Sequence, residues 1–194
     1  MIRSKSGLWA ARSLRRSLAV LLLMGIVPAA SAEWFAGGAV GVMEANLQYE
    51  NGSDLFRPIS GRVFVGYRDG KLGGELDLYV PADDTRTSFT GSEDTFSIKS
   101  GVGAFVHINE KWFTARLGGI WMDTDLEVDG FTVGDSVFMP AASIGLEFDL
   151  GEHFAITADY EVAAGALTYE PIVSGSGRTD IGFSGFRAGL LFTF

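Results

Sequence analysis

The sequence predicts an all-β protein, an eight-stranded antiparallel transmembrane β-barrel with up-and-down topology. Three observations predict it. From Phe186 the final strand is apolar at every second position, through Ala188, Leu190 and Phe192 to Phe194. Residues two apart share one face of a strand, so that face is continuously apolar, as a lipid-facing surface must be. Seven further segments have the length of about ten residues that a tilted strand needs to cross an outer membrane. The connections between them alternate short and long, the asymmetry of barrels with tight periplasmic turns and longer outer loops.

The chain opens with a segment that reads as a cleaved signal peptide, residues 1–32. Arg3, Lys5, Arg12, Arg15 and Arg16 precede a short apolar run, Leu18 to Val27, and the small triplet Ala30-Ser31-Ala32. That order of basic region, apolar core and small-residue site predicts cleavage before Glu33, leaving residues 33–194 as the barrel. The apolar run is about half the ~20 residues that a spanning helix needs. Removing the leader takes five of the 15 basic residues and none of the 24 acidic ones, so the remaining net charge is −14. There is no cysteine, which excludes a disulfide framework and a thiolate metal site.

The eight strands are expected near 34–43, 58–68, 71–80, 96–108, 111–122, 139–150, 154–164 and 183–194. Alternation is clearest in four of them. Leu76, Leu78 and Val80 oppose Glu75, Asp77 and Tyr79; Phe113, Ala115, Leu117 and Trp121 oppose Thr114, Arg116 and Gly118. Ile144, Leu146, Phe148 and Leu150 oppose Ser143, Gly145, Glu147 and Asp149, and Ile156, Ala158, Tyr160 and Val162 oppose Thr157, Asp159 and Glu161. Elsewhere Ser100 falls on the lipid parity while Phe64, Phe105 and Leu191 fall on the lumen parity, and the first strand's faces are indistinguishable. Tight turns are expected at Asp69-Gly70, with two positive φ angles, at Asn109-Glu110 and at Gly151-Glu152-His153. Long polar loops fill 44–57, 81–95, 123–138 and 165–182. Aromatics should mark the two interfaces, with Trp34, Trp112, Phe113, Phe148, Phe192 and Phe194 below and Tyr79, Phe96 and Trp121 above.

The lumen parity carries Arg62, Lys99, Arg116 and Arg187 with Glu75, Asp77, Glu147, Asp159 and Glu161. The Asp69-Gly70 turn places Arg62 opposite Asp77. An eight-stranded barrel encloses room for little beyond side chains, and charges inside it must pair. The expectation is a salt-bridge network that closes the bore, in preference to a gated ion path or an active site.

Other chemistry finds little support. His107 and His153 stand in no nucleophile or zinc motif, no Gly-x-Ser-x-Gly elbow occurs, and neither an enzyme nor a cofactor is expected. Asp125, Glu127 and Asp129, followed by Gly130, resemble the start of a calcium-binding EF-hand loop. The twelfth position is Ser136, however, and no helices flank the run, so a solvated acidic hairpin tip is the simpler reading. The loops hold Glu50, Asp54, Asp83, Asp84, Glu93, Asp94, Asp123, Asp125, Glu127, Asp129, Asp135, Glu170 and Asp180 against Arg57, Arg86 and Arg178. Such a rim repels nucleic acid and suits divalent cations or basic surface partners.

The last strand also resembles the C-terminal assembly signal of bacterial outer-membrane barrels, in which a polar residue, a glycine two on and two aromatics follow in order. Arg187, Gly189, Phe192 and Phe194 fill those positions. With its leader, strand count and loop asymmetry, the chain resembles the small eight-stranded outer-membrane barrels, the OmpA/OmpX-type transmembrane domain, over its whole mature length. The resemblance implies the outer membrane of a Gram-negative-type bacterium, contact with its lipid and lipopolysaccharide, engagement of the barrel-assembly machinery by the C-terminal strand, and a monomer. It differs from full-length OmpA in ending at the barrel, so the peptidoglycan-binding periplasmic module is not expected. The implied role is structural, supporting envelope integrity or adhesion through acidic outer loops. A narrow channel for ions or small solutes and a lipid A-modifying enzyme are the alternatives.

Overall fold

Backbone donors and acceptors find no water inside a bilayer, so a sheet that crosses one has to close on itself. A computed structural model shows that closure. It describes residues 32–49, 52–87, 93–128, 131–169 and 177–194; residues 1–31 of the leader, Glu50, Asp129, Gly130 and Glu170 lie outside them. The strands are β1 (Glu33–Tyr49), β2 (Gly52–Phe56), β3 (Ile59–Asp69), β4 (Leu72–Val80), β5 (Ala82–Thr87), β6 (Glu93–Glu110), β7 (Phe113–Val128), β8 (Phe131–Asp149), β9 (Phe154–Tyr169) and β10 (Gly177–Thr193).

These ten segments form eight staves. β2 extends β3 along β1 without a change of register, since Ala45 faces Phe56 and Val42 faces Ile59 across the Arg57-Pro58 break. Pro58 still accepts a bond from the Met43 N–H at 3.0 Å. β5 likewise extends β4 along β6 beyond Pro81. All pairings are antiparallel, and β10 pairs with β1 from Phe35–Thr193 to Gln48–Asp180, which closes the barrel. Residues Glu33–Phe194 form one compact unit.

The staves are longer than expected. β6 to β10 run 16 to 19 residues each, so much of the segments read as loops is strand. The reason lies in the lumen parity of those segments. Ala45, Leu47, Phe56, Phe96, Leu126, Val137 and Ile181 are buried inside, and their packing carries the ladder up beyond the lipid.

The turns also correct the reading. Asp69 pairs with Leu72, so the first hairpin turns on Gly70-Lys71, and only Gly70 has a positive φ, 62°. This shifts the register so that Arg62 faces Tyr79 and Asp77 faces Phe64. The second turn is Lys111-Trp112, with Lys111 at a φ of 58°, rather than Asn109-Glu110.

The outer face carries the aromatics that contact the interfaces. Trp34, Trp112, Phe113, Phe148, Phe154, Phe192 and Phe194 are exposed at the turn end, and Trp121 and Phe138 at the other. Phe113 and Trp121 are eight steps apart on β7. At about 3.3 Å per step and a tilt of about 40°, that is roughly 20 Å, close to the apolar band of an outer-membrane barrel. Tyr79 and Phe96 do not belong to this girdle, being 4% and 0% exposed inside the barrel.

Candidate functional site

The lumen is built in three storeys. At the turn end lies a small apolar cluster of Phe35, Ala39, Phe64, Ala155 and Leu191, which includes two of the aromatic or aliphatic exceptions to simple alternation. Above it is a layer of charge. Above that, residues from nearly every stave, among them Phe56, Phe96, Met122, Met139 and Phe183, fill the bore with apolar side chains. The expectation was a salt-bridge network that closes the bore, and this apolar upper storey lies in addition to it. Outside the lipid the outer wall can be polar, which frees the inner parity of the extended staves to be apolar.

In the charged layer three arginines from β3, β7 and β10 meet four carboxylates from β4 and β9. Arg62 donates to Asp77 Oδ2 at 2.6 Å, to Glu75 Oε1 at 3.3 Å and to Asp159 Oδ1 at 2.9 Å. Arg116 donates to Glu75 Oε1 at 2.5 Å, Asp77 Oδ2 at 3.2 Å, Asp159 Oδ2 at 3.3 Å and Glu161 Oε2 at 2.9 Å. Its Nε also reaches Ser143 Oγ at 2.8 Å. Arg187 lies directly across from Asp159, donating to Asp159 Oδ2 at 3.2 Å and pairing with Glu161 Oε1 at 2.8 Å. The Tyr79 hydroxyl donates to the same Glu161 oxygen at 2.9 Å. Each guanidinium also lies over a ring, Arg62 over Phe64, Arg116 over Phe105 and Arg187 over Tyr79, at 4.9, 4.7 and 5.6 Å. A layer tied by fork-shaped donors to several acceptors at once is rigid.

Arg187 fits because β1 presents Gly41 opposite it. A Cβ at residue 41 would stand 2.7 Å from the Arg187 Cα and Cγ and 1.9 Å from the Phe186 carbonyl oxygen.

Glu147 sits apart from this layer. It pairs with Arg68 at 2.7 Å and accepts from Asn109 at 3.3 Å near the turn end, closing the mouth of a cavity that reaches up to Glu75 and Asp159. Buried His107 lines the same cavity. Sequence reasoning missed Arg68 and Tyr79 as members of these clusters, although the alternation in the third predicted strand already put Tyr79 inside.

Lys99 is the member the structure removes. Its side chain is 57% exposed on the outer wall and pairs there with Asp125 at 3.2 Å. The cause is a bulge, for the register of β6 on β7 shifts between Ile98 and Ser100. A bulge inserts one unpaired residue and reverses the parity beyond it. It lies beside Pro81, whose missing N–H interrupts the β4–β5 stave. The same reversal turns Phe96, Ile98 and Asp94 inward. Above Trp121 the outer wall becomes polar, where Asp123 accepts from Ser100 at 3.0 Å and from Ser136 at 2.5 Å. Asp125 and Glu127 therefore stand on a strand rather than in a wrapping loop, and among the described residues no cluster of His, Cys, Asp and Glu side chains is arranged to hold a metal ion.

The four positions of the C-terminal signal are spread over two faces. Arg187 points into the lumen, while Phe192 and Phe194 stack on the outside with ring centroids 5.8 Å apart, Phe154 joining at 5.1 Å.

A family model described as outer membrane protein beta-barrel domain matches residues 17–194. Comparison with curated proteins yields no match. Among solved structures, Neisserial surface protein A is similar at 13% identity and a TM-score of 0.56, covering 84% of this chain and 99% of its own. Ail, the attachment invasion locus protein of Yersinia pestis, solved with the heparin analogue sucrose octasulfate, is similar at 14% identity and a TM-score of 0.52, with 84% and 99% covered. OprG from Pseudomonas aeruginosa is similar at 11% identity and a TM-score of 0.51, with 84% and 96% covered. At these identities the likeness is one of fold.

Proposed function

This chain belongs to the outer membrane protein beta-barrel domain family, and from that membership we propose a closed, non-catalytic surface barrel that supports envelope integrity or adhesion through its acidic outer end. The observation that carries the reading is the filled bore. Two storeys of different chemistry, ion pairs and apolar side chains, lie in series along the axis. A solute path would have to breach both. What is left to work is the outer end, where staves rise above the Trp121 level and present Glu44, Asp83, Asp84, Asp123, Asp125 and Glu127 against Arg57 and Lys99. Such a surface suits basic patches on a partner, or divalent cations shared with lipopolysaccharide phosphates, and repels polyanions. In this it contrasts with the Yersinia pestis protein and its polyanionic heparin analogue. The leader is proposed to be cleaved before Glu33, the host envelope to be of Gram-negative type, the last strand to engage the assembly machinery, and the barrel to act as a monomer.

The test has three arms. Purified protein in planar bilayers should give no stable conductance steps. Overexpression should leave lipid A masses unchanged. Shortening the β7–β8 hairpin by residues 123–136 should lower adhesion or envelope integrity while the barrel still assembles. Large steps would support the channel instead, and altered lipid A masses the enzyme.

A further inference from the structure

The charged layer does not balance as drawn. Arg62, Arg116 and Arg187 bring three positive charges, while Glu75, Asp77, Asp159 and Glu161 bring four negative ones, and no side chain among the seven is more than 7% exposed. A buried charge without a counter-charge is strongly unfavourable.

The contacts identify where the excess sits. Both oxygens of Asp159 and both of Glu161 take arginine donors. Arginine reaches only Oε1 of Glu75 and only Oδ2 of Asp77. Asp77 Oδ1 is buried and has no partner at all. Glu75 and Asp77 stand two residues apart on one face of β4, and Arg62 Nη1 and Arg116 Nη1 each reach both Glu75 Oε1 and Asp77 Oδ2, so the two carboxyl groups crowd the same donors. Two carboxylates this close repel when both are ionised, and a proton on one of them removes the repulsion together with the excess charge.

We propose that Glu75 and Asp77 form a proton-binding site, holding one proton between them at neutral pH and exchanging it with the periplasmic side. The proton brings the layer to three charges of each sign. It is taken up from water as hydronium and released the same way, with no other bond made or broken. The groups that face the pair are Arg62 from β3, Tyr79 from β4, Arg116 from β7, Asp159 and Glu161 from β9 and Arg187 from β10; β1 offers only Phe35, Ala39, Met43 and glycines there. A metal ion is a poorer occupant, because arginine nitrogens already hold the accessible oxygens.

The route follows from the cavity below. Glu75 lines it, as do His107 and Thr157, whose Nε2 and Oγ1 are buried without a protein partner. Polar atoms in that state call for water, and a chain of water carries protons. The cavity's mouth is the Arg68–Glu147 pair, flanked by Asn109 and Thr114 at the turn end. Toward the cell exterior the apolar storey offers no such relay. This inference concerns the lumen and stands independently of the surface role proposed above.

Infrared spectroscopy of the protein folded in lipid vesicles at neutral pH tests it. The wild type should show a protonated-carboxyl C=O band that moves in D2O. Glu75→Gln and Asp77→Asn should each abolish that band and leave the urea midpoint at the wild-type value, since each removes the excess charge together with the proton. Asp159→Asn, which takes a carboxylate from three arginines at once, should lower the folding equilibrium constant roughly a hundredfold or more. Thr157→Leu, which fills the cavity, should slow the shift in D2O. Absence of the band in the wild type, or its persistence in both β4 variants, overturns the proposal. So does failure of both β4 variants to fold, because loss of one negative charge here is required to be tolerated.

Discussion

Arg187 shows how much a single side chain in a narrow barrel depends on its surroundings. It pairs with Asp159 and Glu161, lies over Tyr79, and fills space that Gly41 leaves open. Removing one member of a buried ion pair strands the other, at a cost of about 3–5 kcal/mol. Arg187→Leu and Asp159→Leu should each lower stability by that order in urea unfolding from lipid vesicles. The double variant should recover part of the loss, though less than an isolated pair would, because Asp159 also holds Arg62 and Arg116. Strictly additive losses would show that the two residues do not share a network. Lys99 supplies the contrast: its pair with Asp125 stands in solvent, so Lys99→Ala should change stability by about 1 kcal/mol at most.

Among the elements, the β1–β10 seam carries the tightest constraint, since it joins the two ends of the barrel sequence. Along β1, Gly38 and Gly41 look alike in the sequence and differ completely in place. A Cβ at Gly38 would meet nothing nearer than 3.6 Å, on the outer face, whereas one at Gly41 would collide with the β10 backbone and with Arg187. Gly38→Ala should therefore fold with wild-type yield in vesicles. Gly41→Ala should fold poorly or not at all, and equal yields would mean that the seam is looser than this register. The β6 bulge is the second constraint at this scale. One extra residue beside Pro81 decides which parity of the strand's upper half faces inward and turns Phe96 and Ile98 into plug residues.

For the whole molecule, the proposed closure of the bore rests on two seals in series, and each should suffice alone. Arg116→Ala opens a gap in the ionic storey but leaves Phe96, Met122 and Met139 above it. Phe96→Ala thins the apolar storey and leaves the ion pairs intact. Each single variant should stay silent in planar bilayers, and the combined variant should conduct. Conductance from either single variant would show that one storey carries the whole seal.

Much of this was legible in the chain itself. The barrel class, the eight staves, the outer face of β10 and the central charges Arg62, Glu75, Asp77, Arg116, Asp159, Glu161 and Arg187 follow from a period of two and from the demand of lipid for an apolar wall, both of which act on neighbouring residues. Other features were not. Lys99 changed sides because of a bulge, Arg62 took Tyr79 as its cross-strand neighbour because a turn fell one residue later, and Arg68 joined Glu147 from a stave 79 positions away. The height of the staves was set by apolar packing inside the lumen, between segments that read singly as polar loops. Local alternation determines that a strand has two faces. Only closure of the barrel, with its bulge and its long-range register, decides which partners meet across the interior.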